Sequence, residues 1–131
     1  MRLLADRIMK IVNLETFRKL PPNTLFAKYE PCVFEELEIK GETWEYDFLV
    51  SSSLSSAIKC SGSTEFGELL DRAEKTGESL AMDFESEGRD GCFKKAQLFA
   101  VWEQADVSAL IERLKRCLPN AAGEQRPPPK N

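Results

Sequence analysis

Histidine is absent from the 131 residues, and this limits the chemistry that the side chains could carry out. Without it the chain cannot build Ser-His or Cys-His nucleophilic pairs, and it lacks the commonest general base near neutral pH. No Walker-type phosphate loop, GxSxG elbow or HExxH zinc motif occurs either. An enzyme would then need carboxylates, lysine, tyrosine or a metal held by oxygen ligands. We predict no catalytic residue and no enzymatic activity.

One stretch of alternating carboxylates, DFESEGRDG from Asp83 to Gly91, invites comparison with a calcium-binding loop. Carboxylates take its first, third and fifth positions, and Gly88 takes the sixth. The twelfth position is Lys94, where such a loop needs a bidentate glutamate and where a cation would repel the ion. We therefore predict a solvated loop and no metal site.

Four cysteines are spread along the chain without a CxxC pair. Ligand spacing for zinc is therefore missing, and no export signal supports an oxidising compartment. We predict four reduced thiols that are mostly buried as small hydrophobic side chains, and no cofactor. The four residues are Cys32, Cys60, Cys92 and Cys117.

Acidic residues concentrate between positions 30 and 47, which carry seven acids against a single lysine, in a chain of net charge −4. This balance disfavours direct nucleic-acid binding, which depends on cations that neutralise phosphates. A negative surface instead favours a basic protein partner, because complementary charge speeds encounter. The alternative is an ordinary solvated face that serves solubility. The residues that we predict to form the partner-binding surface are Glu35, Glu36, Glu38, Glu45 and Asp47.

The hydrophobic pattern predicts an α+β domain: a small antiparallel or mixed sheet of about five strands, with two main helices packed on one face. Residues 33–40 and 44–50 alternate apolar and polar side chains, so they predict a β-hairpin whose turn is Gly41-Glu42. In the second of these segments, Asp47 is expected to face the solvent. The other predicted strands are residues 24–29, 79–84 and 98–102.

Three helices are predicted: residues 14–19 capped by Asn13, residues 65–76 ended by Gly77, and residues 107–118. The last is the clearest, with Asp106 as its expected N-cap. Its apolar side chains recur at steps of three and four, so we expect Leu110 and Leu114 to be buried against the 98–102 strand. The whole stripe is Val107, Leu110, Ile111, Leu114 and Leu118.

The composition along the chain predicts its organisation. We expect residues 1–8 to be an N-terminal extension, residues 9–118 to be a single α+β domain and residues 119–131 to be a disordered tail. The serine-rich stretch 51–63 is expected to be a mobile loop. No run of 18 apolar residues and no secretory signal is present, so we expect a cytoplasmic protein without a membrane span.

Two segments, MKIVNLETFRKLPPNTLFAKYEPCVF (residues 9–34) and FAVWEQADVSALIERL (residues 99–114), resemble small proteins encoded in bacterial phages and prophages. The resemblance implies an accessory protein that binds and blocks a host protein, such as a defence nuclease. Our leading interpretation is therefore a non-catalytic interaction module, an inhibitor of a host defence or nucleic-acid-handling protein. The alternative is a structural or regulatory subunit that forms homodimers or larger homo-oligomers through an apolar face, and a weaker third is an enzyme with carboxylate chemistry.

Overall fold

The computed structural model describes residues 9–51, 55–91 and 94–119. By its backbone contacts the chain divides into two compact units, of which one is Lys10–Val101 and the other contains the last helix. The predicted N-terminal extension and nearly all of the predicted tail lie outside the described residues. In chain order the elements are β1 (Lys10–Asn13), α1 (Leu14–Arg18), β2 (Thr24–Glu30), β3 (Val33–Trp44), β4 (Asp47–Ser51), α2 (Ser63–Thr76), β5 (Glu87–Arg89), β6 (Leu98–Val101) and α3 (Gln104–Lys115).

The strands form one antiparallel sheet in the order β1-β6-β2-β3-β4-β5. β6 enters between the two N-terminal strands, so that Ala100 has Ile11 as its partner on one side and Ala27 on the other. This sheet with its separate helices confirms the predicted α+β class. The predicted strand at residues 79–84 forms only an isolated bridge between Ile58 and Met82, while β5 occupies a stretch that was predicted as loop.

The hairpin of β3 and β4 is longer than predicted, and the prediction of a turn at Gly41-Glu42 is wrong. β3 continues to Trp44, and the reversal falls at Glu45 and Tyr46, with Glu45 at φ 54°. Gly41 serves close packing instead. A Cβ at this position would lie 2.9 Å from the Cβ of Leu49 and 2.6 Å from Oε2 of Glu87.

Four phenylalanine rings form the centre of the core. Phe17 projects from α1 and stacks on Phe99 of β6, with ring centroids 4.1 Å apart and planes at 6°. The same ring lies 4.6 Å from Phe26 and 5.0 Å from Phe48. All four are fully buried, so a helix of five residues closes the aromatic core over three strands. Aromatic side chains bury a large apolar surface area per residue, so these four rings dominate the energetics of the core.

Local sequence signals at two of the helices act as predicted. Asn13 caps α1, because its Oδ1 accepts a hydrogen bond from the Thr16 amide at 2.8 Å. Gly77 ends α2 in the left-handed conformation, with φ 77°. The longer helices differ from α1 in one respect: neither α2 nor α3 contains a buried side chain.

For the final helix, α3, the predictions of buried leucines and of the N-cap residue are wrong. Leu110 and Leu114 were expected to be buried, yet they are 36% and 47% exposed. The N-cap is Glu103 rather than Asp106, which stands at the third helical position and accepts a hydrogen bond from the Glu103 amide at 3.0 Å. Periodicity identified the apolar stripe correctly, but it carries no information on what covers a stripe.

Candidate interaction surface

Three of the five predicted site residues lie on one segment of β3, where the strand is irregular. The β2–β3 register shifts between Ala27 and Tyr29, so a β-bulge interrupts the ladder at Glu35 and Glu36. Both glutamates are exposed, and Glu36 accepts a hydrogen bond from the Ser55 hydroxyl. The bulge breaks the strict alternation that was assumed for this strand, and it places two consecutive carboxylates at the surface.

Glu38 lies two residues further along β3 and is half-buried. The pKa of its carboxyl group is raised to about 7. Burial is the largest cause, the negative charges of Asp90, Glu36 and Glu35 add to it, and Lys28 acts in the opposite direction. Three of the four charged neighbours are therefore carboxylates. The raised pKa of Glu38 indicates that nearby cations balance only part of the negative charge at this end of the sheet.

Asp90 belongs to this cluster, and sequence reasoning missed it. It follows β5, and its amide donates a hydrogen bond to the Phe48 carbonyl at 3.0 Å, which fixes the residue beside β4. Its Oδ2 lies 3.0 Å from Nζ of Lys28, an ion pair without well-directed hydrogen-bond geometry. The sequence offered Asp90 only as part of an Asp-Gly turn signal. The Asp90 side chain is 5% exposed, so it acts on Glu38 from inside the fold. We call Glu35, Glu36 and Glu38 the acidic surface.

Asp47 was predicted to face the solvent, and this is wrong. It is 2% exposed, and its carboxylate accepts hydrogen bonds from the Phe48 amide at 2.8 Å and the Gly91 amide at 3.0 Å. Arg89 completes the set, with its Nε 3.1 Å from Oδ2 of Asp47. The carboxylate is therefore fully engaged inside the fold and is not available to a partner.

Glu45 is exposed, but it stands in the β3–β4 turn rather than on a strand. Seven residues of extended chain separate it from Glu38, which corresponds to roughly 20 Å. The structure therefore brings Glu35, Glu36 and Glu38 together and leaves Glu45 apart. Trp44, which directly precedes this turn, is also exposed. The centre of its ring lies 4.6 Å from the Arg89 guanidinium carbon.

An exposed apolar pair adjoins the acidic surface along β3. Val33 and Phe34 are 57% and 50% exposed and directly precede Glu35. The Phe34 ring meets the Tyr29 ring edge to face, with centroids 5.0 Å apart. Sequence reasoning treated Val33 as part of an alternating face. Both side chains lie between the tight turn at residues 31–32 and the bulge, and this position leaves them in solvent.

Residues 9–51, 55–91 and 94–119 contain no group of three or more Cys, Asp or Glu side chains arranged to hold a metal ion. Within the same ranges no helix is long and apolar enough to cross a membrane. A surface cleft is lined by Asn13, Leu14, Glu15, Arg18 and Lys95, and Glu38 does not line it.

Of the cysteines, Cys32 and Cys117 are exposed free thiols and Cys60 is a partly buried one. The prediction that the thiols are mostly buried is therefore wrong for two of them, because Cys32 lies in a tight turn at φ 68° and Cys117 follows the exposed end of α3. Cys92 lies outside the described residues. Comparison of the chain with protein-family models, with curated proteins and with solved structures finds no match.

Proposed function

We propose that this chain is a non-catalytic protein-interaction module that binds a basic protein through the acidic surface. One observation carries the proposal: an exposed apolar pair, Val33 and Phe34, lies directly beside a cluster of carboxylates. Protein interfaces combine these two components, an apolar centre that loses its water and a polar rim. An acidic face that served only solubility would not need exposed aromatic side chains at its border.

The two components have different physical roles. The carboxylates attract a cationic surface at long range, so they raise the association rate. Phe34 and Val33 lose water on contact, so they lower the dissociation rate. The Phe34 ring already packs against Tyr29, which reduces the conformational entropy that binding would cost.

The class of partner follows from the charge and from the resemblance to phage-encoded proteins. A protein that handles nucleic acid presents lysine and arginine where it contacts phosphates. A compact negative surface that occupies such a groove would exclude the nucleic acid. We therefore propose a host defence or nucleic-acid-handling protein as the target and competitive inhibition as the mode of action.

The experiment begins with capture of partners from bacterial lysate on the tagged full chain, followed by binding kinetics at low and high salt. Glu35→Gln with Glu36→Gln should slow association and flatten its salt dependence. The matched control is Glu68→Gln with Glu74→Gln, which removes the same charge from exposed positions of α2. If both pairs of changes slow association equally, the acidic surface is not the contact and only the net charge matters.

A second variant tests the apolar component. Phe34→Ser should speed dissociation and leave the association rate almost unchanged, because it removes contact area and no charge. Phe84→Ser is its control, since Phe84 is also about half exposed and lies on a different segment. Equal dissociation rates for the Phe34 variant and the parent would contradict the proposal that this pair lies in the interface.

A further inference from the structure

Helix α3 presents an apolar stripe to solvent. Leu110, Ile111 and Leu114 are 36%, 49% and 47% exposed, and Val107 is partly buried. At 100° per residue these four side chains fall within an arc of about 100°, the width of a packing face. Three large aliphatic side chains on one face of a helix are costly to leave in water, so the face is suited to a partner.

The spacing within the stripe is symmetric. Val107 and Leu114 are equally distant from the midpoint between Leu110 and Ile111. Two copies of this helix that run antiparallel about a two-fold axis at that midpoint would place Val107 of each copy against Leu114 of the other along the centre of the contact. Leu110 would lie beside the second Leu110 on one edge, and Ile111 beside the second Ile111 on the other. Such an interface is self-complementary, because both copies contribute the same surface.

Charge distinguishes the antiparallel arrangement from the parallel one. Asp106 and Arg113 lie on the same edge of the stripe, and Lys115 lies on the opposite edge. In an antiparallel pair, each edge of the stripe faces the same edge of the second copy. Asp106 of each copy therefore lies within about 3 Å of Arg113 of the other, measured along the axis. A parallel pair would bring Arg113 beside Lys115 of the second copy, and like charges repel.

From this complementarity we propose that α3 is a homodimer interface and that its occupant is the antiparallel α3 of a second copy of this chain. The two acid–base contacts are reciprocal, and an identical helix supplies both at once. A contact between two helices of three turns is below the standard size of a permanent interface, so the dimer should dissociate on dilution. This surface shares no residue with the acidic surface, and the two proposals stand or fall separately.

The first experiment is sedimentation equilibrium of the full chain over a wide concentration range. We expect a monomer–dimer equilibrium that Leu114→Asp shifts to monomer by at least about tenfold in the dissociation constant. Ala109→Asp is the matched control, because Ala109 is on the face opposite the stripe and should leave the equilibrium unchanged. A chain that is monomeric throughout, and that Leu114→Asp destabilises towards urea, would overturn the proposal and place the cover of the stripe within the molecule.

Charge reversal tests the antiparallel register. Arg113→Asp leaves two acids on the edge, and Asp106→Arg leaves two bases, so each variant alone should dimerise more weakly than the parent. Their mixture should form a heterodimer at least as strong as the parent dimer. Arg116→Asp, on the opposite face, is the control. Because Asp106 also accepts a hydrogen bond from the helix cap, circular dichroism must show equal helix content. If the mixture dimerises no better than its components, the register is wrong.

Cys117 provides an independent readout. In the antiparallel dimer the two Cys117 thiols lie about 20 Å apart along the axis, too far for a disulfide. In a parallel dimer they would lie at the same level along the axis. Mild oxidation of the dimer should therefore give no cross-link that Cys117→Ser abolishes, and the appearance of such a cross-link would overturn the antiparallel arrangement.

Discussion

Asp47 and Arg89, at the ends of neighbouring strands, form an ion pair with one member inside the protein and the other outside. Nε of Arg89 lies 3.1 Å from Oδ2 of Asp47, while the guanidinium rests 4.6 Å above the Trp44 ring. The same carboxylate accepts two backbone amide hydrogens, from Phe48 and Gly91. One buried side chain thus joins the start of β4 to the end of β5, which is otherwise a strand of three residues.

We expect Asp47→Asn to lower the free energy of unfolding by about 1–3 kcal/mol, because the amide can replace only part of the acceptor capacity that the two amides and Arg89 use. Urea unfolding at neutral pH measures this change in the free energy of unfolding. Glu45→Gln, in the exposed turn two residues earlier, is the control and should change stability by about 0.5 kcal/mol or less. Equal effects at the two positions would contradict a structural role for Asp47.

The same carboxylate predicts a loss of stability in acid. Burial raises the pKa of Asp47, but the hydrogen bonds from Phe48, Gly91 and Arg89 outweigh it, and the pKa lies below the ordinary value of 3.8. A depressed folded-state pKa contributes stability that is present above the unfolded-state pKa and is lost as the pH falls through the folded-state value. The parent should therefore lose more stability than Asp47→Asn below about pH 4, and parallel pH curves would contradict this.

Glu38 should act in the opposite direction near neutral pH. Its pKa is raised from 4.5 to about 7, so its contribution to stability is fully present below pH 4.5 and is lost as the pH rises through 7. Glu38→Gln removes this dependence, and it should stabilise the protein at pH 8 by roughly 1–3 kcal/mol. Urea unfolding at pH 5 and pH 8 measures the difference. If the variant and the parent show the same pH slope, Glu38 does not titrate near neutrality.

Lys40 is buried beside Phe17 and donates hydrogen bonds from Nζ to the Gly41 carbonyl at 3.1 Å and to the Thr43 hydroxyl at 2.8 Å. Burial lowers its pKa, and Glu42 partly offsets this. Burying a charge costs about as much as its contacts return, so Lys40→Met should change stability by less than about 1 kcal/mol. Lys40→Ala should cost about 2–4 kcal/mol through the cavity.

The pH dependence of these variants is a further check. Because the folded-state pKa of Lys40 is below the unfolded-state value near 10.5, the unfolded chain binds more protons between the two. Stability of the parent should therefore gain from this group as the pH rises into the alkaline range, and Lys40→Met should lack that gain. Equal losses in Lys40→Met and Lys40→Ala would show that the hydrogen bonds of the ammonium group matter more than its aliphatic stem.

Two glycines give opposite predictions for the same substitution. Gly41→Ala should destabilise by about 1–3 kcal/mol, because the new Cβ would press on Leu49 and Glu87, whose strands must then move. Gly67→Ala, in the exposed middle of α2 with nothing within 4 Å of the new atom, should stabilise by about 0.5–1 kcal/mol. Thermal melts of the two variants compare them directly, and a shift of the same sign in both would contradict the packing described for Gly41.

Prediction from sequence succeeded where a short range of residues decides the structure. Asn13 and Gly77 mark helix ends through their own backbone and side-chain geometry, and the structure confirms both. The α+β class followed from alternation and helical periodicity. Prediction failed where a segment distant in sequence decides the structure. Gly41 was predicted to form a turn, but a glycine is needed there because Leu49 and Glu87 leave no room for a Cβ.

The acidic surface shows the same division. Glu35, Glu36 and Glu38 were recognised because they are neighbours in sequence. Asp90 was missed because only its place beside β4 brings it to Glu38, and Asp47 was assigned to the solvent because alternation cannot foresee a hydrogen-bond donor such as Gly91. Charge counts identify a region, whereas burial of each carboxylate depends on strand order.

The position of β6 between β1 and β2 has a consequence for synthesis of the chain. The ribosome releases β1 through β5 first, yet in the described sheet β1 pairs with β6, and Phe17 lacks its stacking partner until Phe99 emerges. A nascent chain that ends before residue 98 therefore exposes a strand edge on β2 and an incomplete aromatic cluster, both of which promote misassembly. Completion of the sheet is then a single late event, in which one strand of four residues closes the gap.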